Sequence, residues 1–463
     1  MLPRLRGASP RLAAVAAGRA RGLASVATND FDVVIVGGGV MGASAAYHTA
    51  LADPRLRICV VERDTSYAHA SAMLSAGGIR QQFSLPANIE LSMYGVDFLR
   101  RLSTDLQVPG QQPPDVQFKE QGYLFLASPQ GEATLRRNHA TQRSCGVDWT
   151  TLLSPAELSM RYPWLNTDGI ALGCVGEHSE GWFDPWALVT ALRDRARHMG
   201  VTFKTGSVEG LPCVCEPPAP ESAAGAVPGR RITAVRVRGA DGAESVLGAG
   251  TVVNAAGAFA GRLVSMMEAP ADEEGAGAGA AALPVAARKR CIFQVQCGAE
   301  DAASMPPFDS TGLVVDPSGA YFRPEGAPGR FLCGVSPPAG HADPDLCEVG
   351  VDALEVVDHA LFEEVIWPAL YERCEAFGSL KVLSSWAGAR GIHSNRGMPP
   401  APQSVRAGTA TLPFARQAST STTRSTRTRS SGRTRTCPTC YCATASRAMG
   451  CSSRPAPAAP SPS

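Results

Sequence analysis

Acidic residues are missing from both ends of this 463-residue chain: none stands before Asp30, and none lies between Ala376 and Ser463. An uninterrupted apolar run long enough to cross a bilayer is also missing, so no transmembrane helix is expected and any membrane contact is peripheral. A formal net charge of +1 supplies no global field for nucleic acid, and no nucleic-acid partner is expected. Fourteen cysteines are present but do not supply two ligand pairs at metal-binding spacing. Cys213-Val214-Cys215 has no second pair nearby and reads as loop, while the cluster Cys437, Cys440 and Cys442 has only a distant Cys451, so no metal site is expected. Nothing resembles a secretory signal, which leaves reduced thiols as the expectation.

What is present begins with arginine. Arg4, Arg6, Arg11, Arg19 and Arg21 lie in an Ala- and Leu-rich, acid-free stretch, the composition of a mitochondrial transit peptide over residues 1–29. The stretch FDVVIVGGGVMGASAAYHTALADPRLRICVVERD follows. Val33 to Val36 read as a buried parallel strand, and Gly37-Gly38-Gly39-Val40-Met41-Gly42 opens a helix with GxGxxG spacing. Gly37 permits the tight turn, Gly39 lets backbone approach a pyrophosphate, and Gly42 lets helix and strand pack closely. A second strand, Ile58 to Val61, ends in Glu62, twenty residues past Gly42, where a carboxylate meets ribose hydroxyls, with Arg63 beside it. FAD and NAD both fit that fingerprint. An apolar strand at Thr251 to Val253 runs into Asn254-Ala255-Ala256-Gly257-Ala258-Phe259, a return to the same sheet some two hundred residues later, and this interleaving points to a flavoprotein.

At these residues the chain resembles the FAD-dependent amino-acid and amine oxidoreductases, the family of glycine oxidase, sarcosine oxidase and dimethylglycine dehydrogenase. HASAMLSAGGIRQQFSLPANIELS, EGWFDPWALVTAL, VVNAAGAFAGRL, LPVAARKR, SGAYFRPEG and SSWAG carry the resemblance, which runs from about Asp32 to Gly388. It implies an α/β fold: a Rossmann-like FAD-binding domain of discontinuous segments (30–110 and 166–265) with an inserted antiparallel-sheet substrate domain (111–165 and 266–388). It implies FAD, bound non-covalently because His69, the nearby candidate for attachment, precedes the matching position. Ser71 and Gly78 would lie at the flavin side and Val208 at the adenine, with Ala256 and Gly257 at the returning strand. Asp184 and Pro185 read as a helix start. Oxidation of a C–N bond in a small amine or amino acid is the implied chemistry. Arg323, with Tyr321 on the same strand face, is the first candidate for the substrate carboxylate, Arg80 the next, and Arg288 and Arg290 come after them. The motifs are most similar to a mitochondrial branch serving assembly of respiratory complex I, which implies assembly intermediates as partners and the matrix side of the inner membrane. A non-catalytic assembly protein using the flavin fold as scaffold is the alternative, as is an inactive truncated product.

Low-complexity segments at Glu216 to Arg230 and Ala269 to Ala282 read as disordered surface insertions. Residues 389–463, rich in Arg, Ser, Thr and Pro, cannot build a core and read as a disordered tail. Read one base upstream, the codons of Thr422 to Arg435 permit Asn-Thr-Phe-Asp-Gln-Asn-Ala-Val-Val-Gly-Pro-His-Pro, and those of Thr444 to Ser453 permit Gly-Phe-Ser-Gly-His-Gly-Leu-Gln-Gln. Both strings resemble the family's C-terminal flavin segment, so the tail reads as that segment in the wrong frame, and the chain as written is expected to bind FAD weakly or not at all and to be unstable.

Overall fold

A computed structural model of the chain describes residues 30–216, 229–268, 283–298 and 304–393. The expected leader, residues 217–228 and 269–282 of the two low-complexity insertions, and the tail from residue 394 lie outside the described residues. The chain divides into two compact units. The first holds described residues 30–67, 192–256, 260–268 and 283, and the second holds 68–191, 257–259 and 284–393.

The first unit is built on strand β1 (Asp30–Val36), helix α1 (Val40–Ala52) and strand β2 (Ile58–Glu62). Apolar runs with no polar interruption suit a strand covered on both faces, and Val34, Ile35, Cys59 and Val60 are wholly buried. The eight-stranded sheet runs Gly229–Ile232, Ser207–Glu216, Ala234–Arg238, Glu244–Asn254, β1, β2, Thr202–Thr205, with Met267–Glu268 paired beside Ser207–Glu216. The last four strands of that order are parallel, with Val33 opposite both Thr251 and Ile58. The remaining pairings in the main order are antiparallel. Val34, Val36, Cys59, Val61, Val235 and Val237 alternate onto one face and form its core with Leu263 of the helix Ala260–Ser265. Cys213 and Cys215 sit inside the strand Ser207–Glu216 rather than in a loop, because they stand opposite Ile232 and Arg230 in its antiparallel pairing with Gly229–Ile232.

The second unit carries another eight-stranded sheet, in the order Leu380–His393, Val285–Cys297, Arg330–Gly334, Tyr321–Pro324, Leu313–Val315, Tyr123–Ala127, Leu172–Gly176, Thr150–Leu153. Every pairing is antiparallel except that of Leu313–Val315 with Tyr123–Ala127. One face holds the core: Leu124, Val314, Phe322, Cys333, Phe293 and Ala387 belong to a single buried cluster with residues of the helices over 346–379. Edge-to-face contacts of Phe377 with Phe322 and Phe331, both at 5.0 Å between centroids, knit its middle. The opposite face presents Tyr123, Leu313, Val315, Phe125 and Tyr321. A buried ion pair closes one end: Arg373 Nε lies 2.8 Å from Asp316 Oδ2, and its Nη1 donates to the carbonyls of Asn166 and Asp168 at 3.0 and 2.8 Å.

Several boundaries differ from those the sequence suggests: residues 257–259, expected in the nucleotide domain, fall in the second unit, and 266–268, expected in the substrate domain, fall in the first. Residues 68–110 and 166–191, expected in the nucleotide domain, belong to the second unit. The reason is strand pairing: Leu172–Gly176 joins the second sheet between Tyr123–Ala127 and Thr150–Leu153, and Gly78–Ile79 pairs with Gly181–Trp182. Structure also continues past Gly388. The strand Leu380–His393 pairs with Val285–Cys297 out to His393 opposite Val285, and Ala389 is a buried core residue. The lack of acids marks composition there, whereas the small apolar residues Ala387 and Ala389 fit the crowded face of a strand.

Candidate functional site

The nucleotide-binding features lie in the first unit. Gly37 has φ +101°, donates its N–H to the Val61 carbonyl at 2.8 Å, and sits so that a Cβ would stand 2.4 Å from the Ala255 carbonyl oxygen. Only glycine fits on both counts. A Cβ on Gly42 would stand 1.8 Å from the Gly37 carbonyl oxygen, which is how closely α1 packs on the turn. Gly39 caps α1 and has open space where its Cβ would be. No side chain caps the helix start, and no acid stands in its first turn. The amides and positive dipole end of a thirteen-residue helix therefore face a position suited to phosphate.

Glu62 is half-buried, and its carboxylate accepts from Gly38 N at 2.7 Å and Asp64 N at 2.9 Å. One lone pair on each oxygen remains for a ribose hydroxyl. The buried Tyr67 hydroxyl donates to the Gly38 carbonyl at 3.0 Å, fixing the turn from behind. Arg63 is exposed beside Glu62. Ala255 N donates to the Val36 carbonyl at 2.9 Å, so Ala256, just past the strand Glu244–Asn254, lies beside the end of β1. Val208 is half-buried opposite Val237, three strands from β1 in the same sheet. These residues fit the ADP end of a dinucleotide at the carboxyl ends of parallel strands.

Within the second unit, Gly257 has φ +56° and opens the turn Gly257–Phe259. Ser71 is exposed in a turn closed by Met73 N and Leu74 N on the Ala70 carbonyl. His69 is engaged with Glu355, Nε2 to Oε1 at 3.2 Å. Asp184 caps the helix Pro185–His198, its Oδ1 accepting from Trp186 N at 2.8 Å and Ala187 N at 3.3 Å.

The aromatic face of the second sheet carries the remaining candidates. The guanidinium of Arg80 lies over Phe83, Phe125 and Tyr123, at 4.6, 5.2 and 5.5 Å from the ring centroids. Its Nε is buried, with no hydrogen-bond acceptor among the described residues. Arg323 is differently placed. It is buried, its Nε donates to the Ala76 carbonyl at 2.9 Å, its Nη1 donates to the Pro324 carbonyl at 2.9 Å and pairs with Glu325, and its head lies 5.0 Å from the Trp182 ring. Burial lowers its pKa against the pull of Glu325. Arg290 pairs with Asp343 at 2.8 Å, and Arg288 donates to the Asp343 carbonyl.

Tyr321 and Tyr123 each have a pKa raised, chiefly by burial, so both stay protonated at neutral pH. Glycines make room for the polar atoms of this region: a Cβ on Gly78 would stand 1.9 Å from the Tyr123 hydroxyl, on Gly334 2.6 Å from the Tyr321 hydroxyl, and on Gly176 2.1 Å from Glu180 Oε2. Three neighbours escape a motif reading. Tyr123 is signalled only by its alternation with Phe125. Arg390 follows Trp386 and Gly388 at strand period, and its pKa is lowered by burial and then by the charges of Arg290 and Arg80. Glu180 is wholly buried; it opens the EGWFDPWALVTAL stretch, but nothing in that motif signals that its carboxylate is buried. Among the described residues no group of three or more His, Cys, Asp or Glu could hold a metal, and burial pushes the Cys59 and Cys374 thiols up to about 11.

Residues 32–408 match the family described as FAD dependent oxidoreductase, a match that continues twenty residues past Gly388. FAD-dependent oxidoreductase domain-containing protein 1 of Xenopus laevis is 41% identical over 375 residues, covering 77% of this chain and 69% of that protein. Among solved structures, L-proline dehydrogenase from P. horikoshii superposes with TM-score 0.57 at 22% identity over 78% of this chain and 81% of that chain. Glycine oxidase from Geobacillus kaustophilus superposes with TM-score 0.56 at 22% identity, over 80% and 85%. These structures share the fold, and the sequence match gives the family: the chain belongs to the FAD dependent oxidoreductases, whose cofactor is FAD.

Proposed function

We propose that the chain oxidises a C–N bond in a small amine or amino acid bearing a carboxylate. The observation that carries this reading is Arg80, a cation laid on three aromatic rings with a buried, unaccepted Nε. A planar guanidinium in that setting suits a bidentate carboxylate. Bound FAD supplies the two-electron acceptor. The chain's own residues bind and orient. The protonated phenols of Tyr321 and Tyr123 donate hydrogen bonds and do not act as bases at neutral pH. Arg323 serves the site through backbone, holding the Ala76 carbonyl four residues before Arg80. His69, already engaged with Glu355, supports non-covalent FAD.

Anaerobic titration of the flavoprotein with N-methylglycine, glycine and other small amines tests the reading. Bleaching of the flavin by one of them is expected, and no reduction by any small amine sinks it in favour of a non-catalytic scaffold. We also propose a mitochondrial location on the matrix side of the inner membrane and a role with complex I assembly intermediates, on the strength of the arginine-rich leader and the family resemblance. Organelle fractionation and complex I assembly in cells carrying a flavin-null variant test these; normal assembly in that variant would remove any need for bound FAD. The out-of-frame reading of the tail leads to a further expectation. Stoichiometric flavin surviving gel filtration of the chain as written would refute weak FAD retention.

A further inference from the structure

Glu180 stands in a turn that forces it inward. Ser179 before it has φ +61°, uncommon for a residue with a side chain. That conformation is held from two sides: Ser179 N donates to Glu120 Oε2 at 3.0 Å, Arg100 Nη2 donates to Ser179 Oγ at 3.0 Å, and Arg100 and Glu120 pair at 2.7 Å. Strain maintained by such contacts marks a residue whose placement matters. The Glu180 carboxylate has no ion-pair partner among the described residues and is held by hydrogen bonds. Oε1 accepts from Gln81 N at 2.7 Å and Oε2 from Gln82 Nε2 at 2.8 Å. Gly176 leaves the space that Oε2 occupies.

The residues it holds follow Arg80 directly. Ser92 Oγ donates to the Arg80 carbonyl at 2.5 Å, Gln81 Nε2 donates to Ser92 Oγ at 3.2 Å, and Trp149 Nε1 donates to Gln81 Oε1 at 3.2 Å. We infer that Glu180 is the positioning residue of the Arg80 anion site: its carboxylate fixes Gln81 and Gln82, and through them holds the Arg80 guanidinium on the Tyr123 and Phe125 rings. This rests on the reading of Arg80 as the carboxylate-binding residue. The titratable groups facing Glu180 are Arg80 from its own neighbouring segment, Tyr123 from the strand Tyr123–Ala127 and Cys174 from the strand Leu172–Gly176. Burial raises the Glu180 carboxyl to about 7, against the hydrogen bonds from Gln82 and Gln81 and the Arg80 charge. Protonation replaces an acceptor with an O–H that faces N–H donors, so the hold on Arg80 loosens as pH falls through that value.

Full-length protein labelled with 15N at arginine Nε tests this without any substrate. The Arg80 signal is assigned by its loss in Arg80→Lys. In the wild-type protein it is expected to shift with a midpoint of about 7, while in Glu180→Gln it stays at one position throughout, and in Glu180→Asp it titrates at a lower midpoint. An Arg80 signal that ignores pH in the wild type, or that titrates identically in Glu180→Gln, overturns the inference. If Glu180→Gln fails to fold, the wild-type and Glu180→Asp titrations decide it. Adding N-methylglycine separates the two readings: no ligand shift with the titration intact removes the substrate reading and leaves the role of Glu180 standing.

Discussion

Acidification from about pH 8 to about pH 5 should stabilise the second unit, opposite to the usual acid denaturation of carboxylate-rich proteins. The group responsible is Glu180, wholly buried, whose carboxyl rises from an ordinary 4.5 to about 7. Unfolded, it ionises above 4.5; folded, it keeps its proton up to about 7. Between those values the native state binds more protons, so stability falls as pH rises through the window. The penalty is complete above it and absent below it. At about 1.4 kcal/mol per pH unit the full swing is about 3 kcal/mol. Urea unfolding followed by tryptophan fluorescence reads it directly, since Trp149, Trp164 and Trp182 all belong to the second unit. Glu180→Gln should remove this slope whatever it does to absolute stability. A wild-type curve that is flat or declines on acidification, running parallel to that of Glu180→Gln, would refute the reasoning.

Gly42→Ala should weaken binding of added FAD by about tenfold or more relative to the unsubstituted chain: the added Cβ, 1.8 Å from the Gly37 carbonyl oxygen, must push α1 away from the turn, and equal affinity for added FAD in a fluorescence titration would contradict the geometry. Asp316→Asn should cost about 3 kcal/mol by removing the buried carboxylate beside Arg373 and leaving it only the exposed Glu372, whereas a loss below about 1 kcal/mol in urea melts would show that the pair does little. Arg80→Lys should weaken carboxylate binding by about tenfold or more, because an ammonium offers neither the fork nor the flat stack on Tyr123 and Phe125. Isothermal titration with N-methylglycine measures that, and equal affinity in the variant would remove Arg80 from the site.

The nucleotide half was legible because its determinants are local. The apolar run of β1, the glycines at 37, 39 and 42 and Glu62 at the end of β2 fall within one short stretch of chain, and each has a steric or hydrogen-bonding reason that sequence spacing conveys. The second unit was less so. Val285–Cys297 finds its partner in Leu380–His393, far along the chain, and a register set by tertiary pairing leaves no local signature. Arg323 shows the same limit: alternation with Tyr321 puts both on one face, but nothing in sequence shows that the Ala76 carbonyl and Glu325 take up the guanidinium. The absence of acids after Glu375 suggested an early end to structure. Pairing carries the strand on to His393, because Ala387 and Ala389 supply the small side chains its core face needs.

Three glycines beside the site, Gly78, Gly176 and Gly334, each hold open a volume that a polar atom fills. In a systematic alanine survey, substitution is ordinarily a subtraction; at these three positions it is an addition. Such a survey would report losses at residues that have no side chain to contribute, and would map the outline of Tyr123, Glu180 and Tyr321 as a negative image.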